Sequence, residues 1–469
     1  MENLKTKERA NRIIGKEGRS SDALCKLLEP RRHVGSFDYE NWQWGVLPEV
    51  QNGRIRFNYS YEDIQGLIQK YSLDTDDKKN YLYSLAMSVC GVAIEHGDRA
   101  WENVENSSEY IQYSRYPRVT GTIGDKRVSV RVVPTHWKNS CSRLSTNFTL
   151  RGNGIFLSDV KIADLSSVFV GNMLNSIAYL TVDTSGRTML SVNPMQYCAQ
   201  GCAFCYKSHW SLTQDYKCEL LNLTPQQVCN YLKYEMPHIN YATLNELVIM
   251  TARFNSTEHL ITHMEQMHLC MSDISDGKFN PSLNSWQSIK VSTHLLKTKE
   301  DMQRAKSLGV KRFLYPLEIF DSEIRKKYMT SKSYHENKGD ASFYEVLSIL
   351  EDASTVFGRE NIEVYAVIGL DSHHDTMKGI EKLFSLGYRT ITHDIFRTYS
   401  YNQFGMYQMT LEEMIDVTMY LEEKFNHGFK QVVDFSNEYV EKLFSQLNYN
   451  LGELPIELVS QPKIWRELP

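Results

Sequence analysis

The stretch Thr188-Met-Leu-Ser-Val-Asn-Pro-Met-Gln-Tyr-Cys-Ala-Gln-Gly-Cys-Ala-Phe-Cys-Tyr206 joins a short apolar run to three closely spaced cysteines. Cys198, Cys202 and Cys205 follow the spacing C-x3-C-x2-C. A 4Fe–4S cluster is normally held by four thiolates, so three thiolates leave one iron open to a ligand that is not protein. The stretch therefore predicts a cluster-binding loop that follows directly after a β-strand.

The cysteine run resembles the signature of the radical S-adenosylmethionine (SAM) superfamily. Gly201 precedes the second cysteine and Phe204 precedes the third, where the family places a residue near the adenine of SAM. The resemblance implies that the amino acid end of SAM fills the open iron position. An electron from the cluster then splits SAM into methionine and a 5′-deoxyadenosyl radical. The implied cofactors are one 4Fe–4S cluster and SAM, and the implied partner is an external one-electron reductant such as flavodoxin or ferredoxin.

Zinc binding is the alternative interpretation of the same cysteines. Together with His209 they would form a Cys3His set, which zinc accepts in tetrahedral geometry. The chain would then be a zinc-stabilised binding module without catalysis. The long, regular α/β pattern that follows the cysteines favours the iron–sulfur interpretation, because zinc knuckles usually close over short distances in small modules.

From about residue 186 onward, strand patterns alternate with helix patterns six times. The strands are short β-branched or apolar runs, and the helices begin at capping signals such as Thr224 with Gln227. Six β/α units with parallel strands predict an α/β fold, a partial TIM-like (β/α)6 barrel, and the resemblance implies the same architecture. The predicted strands are Thr188–Asn193, Leu247–Thr251, Ser288–His294, Val310–Pro316, Ile362–Ile368 and Thr390–His393.

The residues on either side of this pattern are predicted to form two further parts. Residues 1–185 are an N-terminal α+β accessory domain, with helix patterns over Ser60–Tyr71 and Thr75–His96. Alternating residues around Gly124-Asp125 predict a β-hairpin in the same domain. The barrel core is assigned to residues 186–426, and residues 427–469 are predicted to be a C-terminal extension that packs on the barrel.

Composition and charge limit the class of protein. The chain of 469 residues is long enough for two or three domains, and its formal net charge of −5 argues against a general nucleic-acid or anionic-membrane binder. We find no apolar run that predicts a signal peptide or a membrane span. The other cysteines are scattered, which fits buried thiols in a reducing compartment. We therefore expect a cytoplasmic protein that binds neither nucleic acid nor a membrane.

Residues at the strand ends are the candidate SAM ligands, because active sites of parallel barrels form at the carboxyl ends of the strands. The fourth strand resembles the biotin-synthase and aromatic-amino-acid-lyase branch, which implies that Glu318 binds SAM and Arg325 holds its carboxylate. A bidentate arginine suits that task; the alternative is an ordinary exposed ion pair on the helix that follows. The predicted SAM-binding residues are Phe204, Thr251, Ser292, Glu318, Arg325 and Ile368.

The sixth strand ends in Ile391-Thr-His-Asp-Ile-Phe-Arg397, where this architecture usually reaches its substrate. His393, Asp394 and Arg397 are the predicted catalytic residues, and such a group suits a polar small-molecule substrate. A helix-capping aspartate and a surface arginine are the alternative. No second closely spaced cysteine set exists, which predicts a single cluster and favours a substrate that is not a peptide. A peptide-modifying radical SAM enzyme that grips its peptide with the N-terminal domain is the alternative function.

Overall fold

A computed structural model provides the fold, and it describes the greater part of the barrel and selected segments of the N-terminal region. The sequence ranges described are 59–94, 118–123, 126–133, 146–151, 154–170, 178–182, 187–194, 198, 200, 202–205, 223–237, 239–250, 254, 256–330, 337–396, 406–425 and 459–460.

Two helices open the described part of the N-terminal region, α1 (Tyr61–Lys70) and α2 (Asp76–Cys90). Ser60 caps α1 with the predicted capping box. The second helix was predicted to continue to His96, and this prediction is wrong. Gly91 adopts a φ of 73° and ends the helix at Cys90, because a left-handed glycine interrupts the helical hydrogen bonds.

A curled β-sheet follows α2 in the N-terminal region. Its β2–β3 hairpin is the predicted one, with Ile123 opposite Lys126. The sheet order is β6-β2-β3-β1-β4-β5, and β6 also pairs with β5, so the six strands close on themselves. The strands are β1 (Val92–Ile94), β2 (Arg118–Ile123), β3 (Lys126–Val133), β4 (Phe148–Arg151), β5 (Gly154–Leu157) and β6 (Val160–Val170).

The second sheet is a parallel half-barrel. Its six parallel strands follow one another in chain order, as predicted, and an antiparallel strand, β7, lies at the edge beside β8. This edge strand lies before residue 186, so the sheet extends across the predicted domain boundary. The strands are β7 (Ala178–Val182), β8 (Thr188–Val192), β9 (Glu246–Met250), β10 (Ser288–Ser292), β11 (Val310–Glu318), β12 (Ile362–Ile368) and β13 (Ile391–Ile395).

Helices connect the parallel strands, and their starts match the capping signals. Thr224 with Gln227, Ser342 with Glu345, and Thr410 with Glu413 form reciprocal side-chain and backbone bonds. The fold is therefore α/β, a partial TIM-like barrel. Its described helices are α3 (Pro225–Glu235), α4 (Thr257–Ile274), α5 (Lys299–Ser307), α6 (Ser322–Tyr328), α7 (Phe343–Phe357), a 3-10 turn (Arg359–Asn361), α8 (His373–Ser385) and α9 (Leu411–Phe425).

Alternate residues of the parallel strands face the two sides of the sheet. One side packs against the helices and is fully buried, as at Ile391 and Ile395. The other, concave side carries charge near the amino ends of the strands. Glu363 accepts hydrogen bonds there from Lys290 and from the Thr392 hydroxyl, so Thr392 marks the concave side of β13.

The N-terminal helices contact the end of the barrel. Helix α2 packs against α9 and β13, and the Tyr81 hydroxyl hydrogen-bonds the Thr418 hydroxyl in a fully buried contact. The described part of the C-terminal extension is strand β14 (Val459–Ser460), which pairs with β6 in the N-terminal sheet. Across the described residues, no helix has the length and apolar character needed to cross a membrane.

Candidate active site at the cysteine loop

The cysteine loop follows β8 and is hydrogen-bonded to the end of α6, the helix after the fourth parallel strand. The amide of Ala203 donates to the Tyr328 carbonyl at 2.7 Å, and the Gln200 amide group donates to the Met329 carbonyl at 2.8 Å. Carbonyls at a helix end lack partners within the helix, so the loop satisfies them. These bonds hold the three cysteines at the carboxyl edge of the half-barrel.

Glu318 ends the fourth parallel strand, β11, in a strained backbone conformation. Its φ is 64°, and the amide of Ile319 donates to the Leu317 carbonyl at 2.8 Å, which makes a γ-turn centred on Glu318. The register with β12 shifts at the same place, between Pro316 and Glu318. A left-handed φ is uncommon for a residue with a side chain, and such strain clusters at functional sites.

Asp371 holds this strained turn from the next strand. Its carboxylate accepts hydrogen bonds from the amides of Phe320 at 2.6 Å and Asp321 at 3.1 Å, and the side chain is buried. Burial raises the pKa of Asp371 to about 7, although the two amide bonds act in the opposite direction. The conformation of Glu318 therefore depends on a residue at the end of β12.

Lys338 is the ion-pair partner of Glu318. Its ammonium lies 2.7 Å from Glu318 Oε1, and both side chains are largely buried, at 11% and 15% exposure. The second carboxylate oxygen, Oε2, is buried and has no hydrogen-bond partner among the described residues. An unpaired buried oxygen is costly unless a ligand donates to it, so this atom is a candidate acceptor for a ligand.

Arg325 builds the turn that carries Lys338. The arginine is fully buried, and its guanidinium donates to the carbonyls of Ala341 at 2.5 Å and Lys338 at 3.1 Å. Gly339 fits there because a Cβ atom would lie 2.6 Å from the Arg325 carbonyl. The sequence left open an exposed ion pair between Glu318 and Arg325, and the structure does not show it. Arg325 is buried, and the described partner of Glu318 is Lys338.

The turn that carries Lys338 and the cysteine loop are hydrogen-bonded to the same backbone carbonyl. Gly339 and Gln200 both donate to the Met329 carbonyl, at 3.2 Å and 2.8 Å. A shift of the Lys338 turn would therefore disturb the cysteine loop, and the reverse also holds.

The electrostatics of the cysteines reflect this arrangement. Burial raises the pKa of the Cys202 thiol well above its usual range; Glu318 raises it further, and Lys338 lowers it. Burial lowers the pKa of Lys338, but the Glu318 carboxylate, through its charge and its hydrogen bond, raises it more, so the net pKa lies above its usual value. Lys338 thus keeps its positive charge within electrostatic range of two of the thiols.

The residues present fit an iron–sulfur cluster. Cys198 and Cys202 are buried and Cys205 is partly exposed, so the three thiols of the loop lie between the protein interior and solvent. A metal deprotonates a coordinating thiol outright, which would remove the cost of a buried thiolate at Cys202. Within the described ranges, no three His, Cys, Asp or Glu side chains are placed to hold a single metal ion.

The other predicted SAM-binding residues occupy several positions along the carboxyl edge. Phe204 is buried in the cysteine loop, and Ser292 is the partly exposed last residue of β10. Ile368 is the buried last residue of β12 and precedes Gly369, whose φ of 108° turns the chain away from the sheet. Thr251 lies outside the described residues.

The structure separates two of the predicted catalytic residues. Asp394 comes two residues after Thr392 in β13, so it lies on the same, concave side of the sheet. It is partly exposed. His393 lies on the opposite side of β13, buried with Ile391 and Ile395 against the helices. Both residues were predicted to lie at one substrate site, but the side chains of successive residues in a strand point to opposite faces. Arg397 lies outside the described residues.

Sequence reasoning missed three residues that build this site: Gln200, Lys338 and Asp371. Gln200 lies inside the quoted cysteine run, and Asp371 follows a predicted strand end, so each carried a positional signal. Lys338 comes after α6 and far from any strand end, and no sequence pattern connects it to Glu318.

The architecture is therefore a partial TIM-like barrel with a three-cysteine loop at its carboxyl edge. No known family profile matches the sequence, and no curated protein matches it. Solved structures provide partial similarity. HydG, a maturase of the FeFe-hydrogenase, has a TM-score of 0.36 and 13% identity over 50% of this chain and 49% of HydG.

Two further solved structures are similar to the chain. HydG from Carboxydothermus hydrogenoformans has a TM-score of 0.33 and 13% identity over 45% of this chain and 44% of that one. Coproporphyrinogen III oxidase (HemN) from Escherichia coli, described as a radical SAM enzyme, has a TM-score of 0.35 and 10% identity over 50% of this chain and 52% of HemN. The chain spans about half the length of each of these three solved structures.

Proposed function

We propose that this protein is a radical SAM enzyme that acts on a polar small-molecule substrate. One observation carries the proposal: the loop with Cys198, Cys202 and Cys205 is bonded to the end of α6, beside the strained Glu318 and its partner Lys338. Three thiolates on one loop, next to a buried charged pair, fit a cluster with one open iron and a zwitterionic ligand.

Cys198, Cys202 and Cys205 would hold the 4Fe–4S cluster. When bound, the cluster supplies the electron that splits SAM into methionine and a 5′-deoxyadenosyl radical. An external one-electron reductant, of the flavodoxin or ferredoxin kind, is the proposed source of that electron. The chain itself contributes the placement of SAM and substrate and the exclusion of water.

Glu318 and Lys338 are the proposed charged contacts of SAM. The free Oε2 of Glu318 is an acceptor for a hydroxyl or ammonium group, and the Lys338 ammonium can donate to a carboxylate while it still contacts Glu318. Arg325 has a positioning role in this proposal, because its Nη1 and Nη2 groups donate to the carbonyls of the turn that carries Lys338.

Asp394 is the proposed substrate contact on the sixth strand. Its partly exposed position on the concave side of β13 suits a donor group of a polar substrate, and neighbouring concave positions such as Tyr365 and Val367 are also partly exposed. Arg397, which lies outside the described residues, is proposed to act on the same substrate because it follows the sixth strand in the chain. A substrate seated between this strand and the cysteine loop would be shielded from water by the barrel.

Anaerobic reconstitution with iron, sulfide and a strong reductant tests the proposed function. We expect about four irons per chain, a brown protein, and reductive release of 5′-deoxyadenosine from SAM. Cys202→Ala should lose the iron and the SAM cleavage, whereas Cys90→Ala on the remote helix α2 should keep both.

Three outcomes contradict parts of the proposal. Stoichiometric zinc without iron would favour the non-catalytic binding module. Normal SAM cleavage by Cys202→Ala would remove the cysteine loop from the chemistry. Product formation on a peptide, with no reaction of small metabolites, would replace the substrate class with the peptide alternative.

A further inference from the structure

Two thiols lie on neighbouring helices away from the candidate site. Cys229 is a buried residue of α3, and Cys270 is a partly exposed residue of α4, which packs against α3. The Cys270 sulfur donates to Gln226 Oε1 at 3.4 Å. Gln226 and Cys229 are three residues apart and share one face of α3, so Cys270 lies against the face that carries Cys229.

The two thiols differ in exposure and in acidity. The neighbouring Cys229 thiol lowers the pKa of Cys270 to about 7, against the effects of burial and of Asp273. The neighbouring Cys270 thiol and burial both raise the pKa of Cys229. The partly exposed Cys270 is therefore the more reactive sulfur, and the buried Cys229 is a protonated thiol on the facing helix.

We propose that Cys229 and Cys270 form an oxidant-reactive pair, which hydrogen peroxide or an organic hydroperoxide converts into a disulfide that links α3 to α4. The proposal is independent of the proposed radical SAM function. It rests on the contact between the two helices, on the exposure of one sulfur and on the shielding of the other.

The oxidation proceeds in two balanced steps. The Cys270 thiolate attacks one peroxide oxygen, the O–O bond breaks, and Cys270 becomes a sulfenic acid while hydroxide or alkoxide leaves. The Cys229 sulfur then attacks the Cys270 sulfur, the S–O bond breaks, and the proton of Cys229 leaves with that oxygen as water. The two sulfurs lose two electrons in total, and these electrons reduce one peroxide.

The exposure of the pair fits this order of events. Cys270 is the partly exposed member, so the oxidant reaches it first, and the adjacent Cys229 resolves the sulfenic acid before it is oxidised further. Cys90, a buried thiol on α2, provides a comparison site.

The test uses the full-length protein, purified without cluster reconstitution and in a Cys218→Ser background. Trypsin leaves Cys218 and Cys229 on one peptide, residues 218–233, and Cys270 on residues 254–278, so this background makes the linkage unambiguous. The protein is treated with substoichiometric hydrogen peroxide, free thiols are alkylated, and the digest is analysed by mass spectrometry. We expect a linked pair of these two peptides, lighter by two hydrogen atoms than their sum.

Variants establish the order of the two steps. In Cys229→Ser, a diketone reagent such as dimedone should label Cys270 as the trapped sulfenic acid, and Cys90→Ser should form the same disulfide as the parent. The proposal is overturned if Cys229 and Cys270 remain fully alkylatable while other cysteines oxidise, or if Cys270 links to another cysteine. The linkage itself is measured on the Cys218→Ser protein, which keeps both Cys229 and Cys270, so that result does not depend on how well Cys229→Ser or Cys90→Ser folds.

Discussion

Glu318 and Lys338 form an ion pair in which Lys338 Nζ lies 2.7 Å from Glu318 Oε1. Glu318 precedes helix α6 in the chain and Lys338 follows it. One residue ends the fourth parallel strand in a left-handed γ-turn, and the other sits on a turn fixed by the buried Arg325. The pair also lies within electrostatic range of Cys202. Strain, burial and charge therefore coincide at one place beside the cysteine loop.

The first prediction concerns this ion pair. Lys338→Met leaves the Glu318 carboxylate buried without its partner, and we expect a loss of about 3–5 kcal/mol in the free energy of unfolding. Urea denaturation measures the loss. Lys326→Met, on the exposed face of α6, is the matched control and should change stability little. Equal stability of Lys338→Met and the parent would show that the pair is not formed in solution.

We expect Arg325 to stabilise the fold and to affect ligand binding through the position of the Lys338 turn. Arg325→Met removes two charge-assisted hydrogen bonds to the Lys338 turn, each worth about 1.5–3 kcal/mol. We expect lower stability together with weaker iron loading, since the turn and the cysteine loop share the Met329 carbonyl. Arg304→Met, which breaks an exposed ion pair with Glu258, is the control for loss of an arginine. An unchanged denaturation midpoint with weaker SAM binding alone would restore the direct role predicted for Arg325 from the sequence.

Asp394 and His393 should behave differently although they are adjacent in the chain. Asp394→Ala is expected to leave 5′-deoxyadenosine formation intact while product is lost, because substrate placement fails and misplacement costs on the order of 100-fold in rate. Arg397→Ala should give the same uncoupling. His393→Ala removes a buried side chain between the sheet and the helices, so we expect lower thermal stability instead. The ratio of 5′-deoxyadenosine to product, measured beside the melting temperature, separates the two effects.

Asp371 should make stability depend on pH. Burial raises its pKa in the folded protein to about 7, above the ordinary value near 3.8, so the folded state binds the proton more tightly than the unfolded state. The resulting stabilisation is complete below about pH 4 and is lost as the pH rises through about 7. Asp371→Asn cannot titrate, so the parent should lose stability relative to this variant between acidic and neutral pH. Parallel pH profiles for the two proteins would contradict the assignment.

Much of the barrel could be predicted from the sequence because its signals are local. Strand alternation is read within a few residues, and a capping box such as Thr224 with Gln227 closes within one helical turn. The order of β/α units then determines the parallel sheet, since connections of this kind are short and consistently right-handed. The position of the cysteine loop follows from the strand that precedes it.

Local signals also failed in one instructive place. Gly91 ends α2 and Val92 begins a strand, although the apolar pattern continues to His96. Gly91 is a possible helix stop in the sequence, but what fixes the strand after it is the pairing of β1 with β3 and β4 from later in the chain.

The sequence by itself determined which elements form and where three cysteines enter the barrel, because caps, alternation and cysteine spacing act over short distances. Only the tertiary structure decided that Lys338 is the partner of Glu318, that Arg325 binds backbone carbonyls, and that Cys270 lies against the face of α3 that carries Cys229. The physical reason is that a buried charge or thiol takes its partner from whatever side chain the packing brings within reach, and that neighbour is remote in the chain.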